Sequence, residues 1–150
     1  MGDSVSLNIA LLPDENVTQT TIGMSKDLNS NLPTNFILNT QNLIPHLTIY
    51  QAQFPSKNVQ EVENQTRSLL EEVKQFKLEL FNFSITPQGN VWWNAIDKEP
   101  MATLQKEAIE RCNPLRENLL LPGIENLTNL SEDYAKEVNN YGSVWLHDRY

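Results

Sequence analysis

The sequence predicts an α+β fold in which antiparallel sheets are flanked by helices. Several short segments alternate apolar and polar residues with period two, whereas other segments repeat apolar residues every three or four positions. The two kinds of segment do not alternate regularly, and one pair of strand-like segments is separated only by a turn of the composition Pro-Gln-Gly-Asn at residues 87–90. This order is typical of α+β domains and not of a regular doubly wound parallel sheet.

The first predicted elements are a strand and a helix. Residues 5–11 alternate with period two, and Pro13 ends this strand. Asp14 is placed to cap a helix that continues to about residue 29, because a short side-chain oxygen before an apolar helical repeat satisfies free backbone N–H groups. Residues 29–35 have the composition of a loop, and residues 36–38 are a candidate short strand.

The middle of the chain predicts a strand, a long helix and a hairpin. Residues 46–53 are rich in β-branched and aromatic side chains, which favours a strand. Residues 56–76 carry one apolar stripe at helical spacing. The apolar positions of residues 76–85 alternate but change face near Asn82, which predicts a bulge or two buried faces, and residues 91–96 form the returning strand.

The last predicted elements are helical. Apolar residues recur at helical spacing from Pro100 to Leu115, and Pro114 should kink or split this helix. A short helix follows near residues 131–138, and the chain then enters an aromatic, strand-like segment at residues 144–150. We interpret residues 1–150 as a single domain, because no linker or low-complexity tract divides them.

Composition excludes several classes of function. With 11 Lys and Arg against 19 Asp and Glu, the net charge is −8, so no general cationic surface is available to bind DNA. No glycine-rich phosphate loop is present, which argues against nucleoside triphosphate chemistry. A single cysteine excludes an internal disulfide, and the N-terminus has neither a signal peptide nor a membrane-spanning run. We therefore expect a cytoplasmic protein with no membrane partner.

The segment Pro45-His46-Leu47-Thr48-Ile49 carries the strongest chemical signal. On a strand, His46 and Thr48 project from the same face about 6.6–7 Å apart. A hydroxyl donates to a phosphate oxygen, while an imidazole transfers a proton to or from an attacking or leaving oxygen near neutral pH. A histidine that only caps the strand start is the structural alternative. Metal binding is a weaker interpretation, because the chain has only two histidines and no carboxylate cluster beside His46.

The order of elements around this segment resembles the two-histidine phosphoesterase superfamily, also called the 2′-5′ RNA ligase-like family. Members have a two-lobed, pseudo-twofold α+β fold with two His-x-Thr or His-x-Ser motifs on facing strands. The resemblance covers most of the chain, from about Leu7 to Tyr150. It implies that His46 is one of two catalytic histidines and that Thr48 holds the phosphate, with no metal or other cofactor.

The chain departs from the family at its second motif. His147 is followed by Asp148 and Arg149 and so does not form a second His-x-Thr. The residues from 141 to 150 resemble the segment that leads into the second motif, so we expect that the chain is truncated before it and that the second lobe is incomplete. Arg149 is the best candidate for a further phosphate contact, because of its place in that segment.

Other residues have both a functional and a structural interpretation. Tyr50 shares the predicted face of His46 and Thr48, so it is a candidate for stacking on a base, with ordinary sheet packing as the alternative. Adjacent Trp92 and Trp93 must point to opposite faces of their strand. Three arginines in predicted helices have glutamates nearby, which favours solvated ion pairs: Arg67, Arg111 and Arg116.

These observations predict a metal-independent phosphoesterase-like domain acting on 2′,3′-cyclic phosphates or 2′-5′ linkages of RNA or nucleotides, weak or inactive without its second motif. Whether the chain is an enzyme stays open at this point, because in-line displacement needs an acid and a base on opposite sides of phosphorus. The alternatives are a non-catalytic member of the same fold that binds a nucleotide or a protein, and a scaffold in which His46 only packs. The oligomeric state also stays open.

Overall fold

The computed structural model describes residues 3–85, 89–96, 99–124 and 132–143, except the side chain of Tyr134. It confirms the α+β class. The helices and strands, with 3₁₀ turns at Ser56–Asn58 and Asn113–Arg116, are β1 (Ser4–Leu11), α1 (Glu15–Asn31), β2 (Leu47–Pro55), α2 (Val59–Glu72), β3 (Leu80–Ile85), β4 (Val91–Ala95), α3 (Glu99–Cys112) and α4 (Glu132–Tyr141).

The chain divides into two compact units. The smaller unit is Ile9–Thr48, and the larger consists of Met1–Asn8 together with Ile49–Tyr150. Within the described residues, the strands form two sheets of two strands each, β1 with β2 and β3 with β4. Residues 87 and 88 of the predicted turn and the predicted segment at 144–150 lie outside the described residues.

In the smaller unit, helix α1 begins as the sequence predicts. The Asp14 carboxylate accepts a hydrogen bond of 2.9 Å from the Val17 amide, which satisfies one of the free N–H groups of the first turn. Residues 36–38 are not a strand, contrary to the sequence prediction. Their backbone is bonded by side chains instead of a ladder: Thr34 donates to the Phe36 carbonyl at 2.8 Å, and Leu38 N–H donates to Ser25 at 3.1 Å.

In the larger unit, the start of β1 lies beside the end of β2, so the two strands are antiparallel. The Ser56 amide donates to the Asp3 carbonyl at 2.9 Å, and Gln53 exchanges hydrogen bonds with Ser4 at 2.9 Å and Ser6 at 2.5 Å. Strand β2 is buried on both faces from Ile49 onward, because adjacent side chains of opposite orientation are both excluded from solvent. This differs from the predicted strand with one polar face.

Helices α2 and α3 pack against each other through the predicted apolar stripes. Val62 and Leu69 of α2 are buried, as are the residues of α3 that recur at helical spacing: Met101, Leu104, Ala108 and Cys112. Helix α2 ends at Glu72 and not at the predicted Phe76, because Val73 takes an extended backbone conformation. Pro114 lies in the 3₁₀ turn directly after α3, so the predicted interruption there is confirmed.

Strands β3 and β4 form an antiparallel hairpin with a bulge at Asn82. Phe81 lies opposite Asn94 and Phe83 opposite Trp93, so Asn82 has no opposing residue. Asn82 has a φ of 48°, a left-handed conformation that asparagine tolerates better than most residues. The change of face predicted at this position is therefore confirmed, and Trp92 and Trp93 face opposite sides of the hairpin as expected.

Candidate functional site

His46 is exposed and lies immediately before β2, one residue earlier than the observed strand start. Its ring nitrogen Nδ1 is 2.7 Å from the carbonyl oxygen of Ile44. A carbonyl oxygen only accepts hydrogen bonds, so Nδ1 carries the hydrogen and donates it. In the neutral ring, Nε2 is therefore the nitrogen that has the lone pair. This tautomer suits a general base, since Nε2 takes a proton without disturbing the bond that orients the ring.

The segment that presents His46 is ordered by side-chain hydrogen bonds. The Asn39 side-chain oxygen accepts from the amides of Gln41 and Asn42 at 2.8 Å each, and the Asn39 amide donates to the Leu43 carbonyl at 3.0 Å. Pro45, whose ring fixes its φ angle, is buried. A turn held at Asn39 and a buried proline therefore restrict the backbone just before His46.

Thr48 is half-buried and is the second residue of β2. It lies in the same unit as His46, two residues further along the chain. The hydroxyl is a donor and an acceptor, which suits it to a non-bridging phosphate oxygen. The His-x-Thr triplet thus lies at the start of β2, between the exposed His46 and the part of the strand that is buried from Ile49 onward.

Tyr50 lies in the core of the larger unit. Its relative exposure is 0%, and its ring packs edge-on against Phe54 with ring centroids 6.2 Å apart. Its hydroxyl lies 2.9 Å from the side-chain oxygen of Asn113 and 3.0 Å from the Tyr141 carbonyl. Burial raises the pKa of the Tyr50 hydroxyl well above its usual range, although the charge of Arg116 opposes this shift. A ring without exposed surface cannot stack on a ligand, so Tyr50 is left out of the proposed site.

Arg149, the other candidate for substrate binding, lies outside the described residues, as does His147. Among the candidate site residues, the structure places His46 and Thr48 two residues apart at the start of β2 and Tyr50 in the core.

Arg116 has a role that the sequence reasoning missed. It is 3% exposed and donates to three neutral oxygens: the Asn113 side chain at 2.7 Å, the Leu119 carbonyl at 2.8 Å and the Asn139 carbonyl at 2.6 Å. The expected solvated ion pair for Arg116 is wrong, because its guanidinium joins the end of α3 to α4 inside the larger unit. Two of these partners lie three residues away, but Asn139 is 23 residues further along the chain, so the sequence near Arg116 does not indicate this contact.

Arg111 forms an ion pair as expected, but its main partner is Glu72 of another helix, while the neighbouring Glu107 lies at 4.0 Å. Its guanidinium makes two contacts with the Glu72 carboxylate, at 3.1 and 2.6 Å, and connects α3 with α2. The hydrogen bonds from Arg111, followed by its charge, lower the pKa of Glu72 below its usual value. Because this pair is near the surface, we assign it to the scaffold and not to a phosphate site.

The charges of the smaller unit restrict how a phosphate would be held. Between Ile9 and Thr48 the sequence contains Lys26 as its only Lys or Arg, against Asp14, Glu15 and Asp27. A bound phosphate would therefore find little fixed positive charge within this unit. Among the described residues, no group of three or more His, Cys, Asp or Glu side chains is arranged to hold a metal ion.

Comparison of the chain with protein-family models, with curated proteins and with solved structures finds no match. The resemblance to the two-histidine phosphoesterases therefore stays a prediction from the residues quoted above. Within the described part of the chain, no helix has the length and apolar character needed to cross a membrane.

Proposed function

We propose that this chain is a metal-independent phosphoesterase-like domain that acts on 2′,3′-cyclic phosphates or 2′-5′ linkages of RNA or nucleotides. The observation that carries the proposal is the exposed His46 ring, whose Nδ1–H is held by the Ile44 carbonyl at 2.7 Å. Because Nδ1 holds its hydrogen against Ile44, proton transfer at a phosphate would fall to Nε2, as in a general base or acid.

In this proposal the two residues have separate roles. His46 takes a proton from the attacking oxygen or gives one to the leaving oxygen, and the Thr48 hydroxyl donates a hydrogen bond to a non-bridging oxygen. The sequence holds one His-x-Thr triplet, so a second acid or base has to come from another group. With His46 as the one acid or base of a His-x-Thr triplet, substrate binding should be weak and turnover slow. The buried free thiol of Cys112 fits the reducing cytoplasm, where we place this activity.

The test is hydrolysis of 2′,3′-cyclic AMP in the presence of a chelator, followed by chromatography of the nucleotide monophosphate product. We expect slow hydrolysis that the chelator does not affect and that His46→Ala abolishes. His46 is exposed, so this substitution should leave the fold intact, which circular dichroism checks. His147→Ala is the matched control, because His147 is the second of only two histidines and lacks the neighbouring threonine. Activity that persists in His46→Ala would remove His46 from the mechanism.

A second candidate function is a non-catalytic domain that binds a nucleotide or a protein through the same residues. The single His-x-Thr triplet and the absence of arginine between residues 9 and 48 favour it, since both reduce catalytic power more than recognition. Saturable binding of 2′,3′-cyclic AMP without any hydrolysis would support this function over the first. If wild-type protein and His46→Ala bind 2′,3′-cyclic AMP equally well, both candidate functions are contradicted for a nucleotide ligand.

A further inference from the structure

One face of the β3–β4 hairpin consists only of apolar side chains. Residues opposite each other in an antiparallel pair share a face, and the register pairs Phe83 with Trp93 and Ile85 with Val91. The bulge at Asn82 turns Phe81 to the other side. The face, here called the apolar face, is formed by Leu80, Phe83, Ile85, Val91, Trp93 and Ala95.

The apolar face is buried at one end and exposed at the other. Ala95 is buried, whereas the exposed fractions are 53% for Phe83, 74% for Ile85 and 46% for Val91. Phe83 stacks on Trp93 with ring centroids 5.4 Å apart and 28° between the ring planes, so the two rings hold each other in place on this face. Contiguous exposed apolar surface of this kind marks interaction sites in soluble proteins.

We propose that a second copy of this chain packs its apolar face against this one, so that the protein forms a homodimer. A twofold symmetric contact brings the same patch together from both copies, and an apolar patch is complementary to itself. Each copy carries the patch at the same concentration, so the proposed partner is always present with the chain.

The exposed area is sufficient for such a contact. Since a large apolar side chain has roughly 150–250 Å² to bury, the exposed part of the apolar face is about 400 Å² per copy and about 800 Å² for two. About two-thirds of a homodimer interface is apolar, so this corresponds to a total of about 1,200 Å². That value is at the lower end of the range for specific interfaces, which predicts a weak dimer.

Charge disfavours a nucleic acid, the main alternative to a second copy of this chain, as the partner of the apolar face. Strands β3 and β4 contain no charged residue, and the whole chain has a net charge of −8. A nucleic acid stacking on Phe83 and Trp93 would need basic residues along its backbone path, and neither strand supplies one. The apolar face instead fits a partner with an uncharged apolar surface, and a second copy of the chain has such a surface.

The test is sedimentation equilibrium of the full chain from about 1 µM to about 500 µM, a range that covers weak to moderate dimers. We expect a reversible monomer–dimer equilibrium. Phe83→Lys and Ile85→Lys should each raise the dissociation constant at least about tenfold, because a lysine in the contact would be buried without a partner. Phe81→Lys is the matched control, because Phe81 is 56% exposed, close to the value for Phe83, but lies on the opposite face of the hairpin. It should change the constant by less than about twofold.

Salt separates an apolar contact from an electrostatic one. Two copies with a charge of −8 repel each other, so added salt should strengthen the dimer. Circular dichroism of each variant checks its fold, and Ile85→Lys, at the most exposed position, carries the test if Phe83→Lys loses structure. A monomer at all concentrations, a dimer weakened by salt, or an equal effect of Phe81→Lys would overturn the proposal.

Discussion

Substitution of Tyr50 by Phe removes one buried hydroxyl and keeps the ring. In the wild-type protein this hydroxyl lies 2.9 Å from the Asn113 side-chain oxygen and 3.0 Å from the Tyr141 carbonyl. Both neighbours are acceptors, so the one phenolic proton is shared between them. The Asn113 oxygen keeps its bond from Arg116, whereas the bond to the Tyr141 carbonyl is lost. We expect the free energy of unfolding near neutral pH to fall by about 1–2 kcal/mol.

The same hydroxyl makes the wild-type protein sensitive to alkali. Burial raises the pKa of Tyr50 above its usual value of 10 in the folded state. Its contribution to stability is therefore fully present below about pH 10 and is lost as pH rises, because the unfolded chain ionises first. The loss is about 1.4 kcal/mol for each pH unit above that value. The advantage of wild-type protein over Tyr50→Phe should thus be close to zero near pH 11.

Urea unfolding followed by far-ultraviolet circular dichroism measures this difference at several pH values from about 7 to about 11. The pKa of the Cys112 thiol is also raised by burial, but Cys112 is present in both proteins, so the comparison isolates Tyr50. A difference in unfolding free energy that stays constant across this range would refute the argument that Tyr50 is buried as a neutral phenol.

Three further predictions concern the scaffold. Gly142→Ala should destabilise the protein by about 1–3 kcal/mol, because Gly142 has a φ of 77° and an added Cβ would lie 3.0 Å from the Leu119 carbonyl. Gly23→Ala, whose Cβ meets no atom within 4 Å in helix α1, should instead stabilise it by about 0.5–1 kcal/mol. Thermal unfolding measures both changes in stability, and equal effects of the two substitutions would contradict the proposed conformational restriction at Gly142. The pKa of Glu72 is lowered from 4.5, so its pair with Arg111 stabilises the fold above that pH and is lost as pH falls through the lowered value. The melting temperatures of wild-type protein and Glu72→Gln should therefore converge in acid, and a gap that persists there would exclude this pair as its cause.

Elements with a local signal could be predicted from the sequence. The stripe from Met101 to Cys112 defines α3, and the Asp14 cap defines the start of α1, because each depends on residues within one or two helical turns. The bulge at Asn82 was visible as a change of face in the alternation of β3. In each case the determining contacts lie close together in the chain.

Elements that depend on distant contacts could not be predicted. The sequence leaves Tyr50 open between a ligand contact and sheet packing, and its burial depends on hydroxyl partners that lie 63 and 91 residues away, Asn113 and Tyr141. Burial of both faces of β2 depends on those later segments, so the alternation within residues 46–53 did not indicate it. At the site, the chemistry of His46 followed from residue types, whereas its Nδ1 bond to Ile44 required coordinates.

Nuclear magnetic resonance of the His46 ring nitrogens shows whether His46 and Thr48 together hold a phosphate. We expect 3′-AMP to shift the Nε2 resonance saturably while Nδ1 keeps its hydrogen, and Thr48→Val to weaken this binding about tenfold, since a hydrogen bond to a charged group is lost. His147→Ala identifies the signals, because the chain has only two histidines. An Nε2 resonance that does not respond to the nucleotide, or responds equally in Thr48→Val, would contradict the claim.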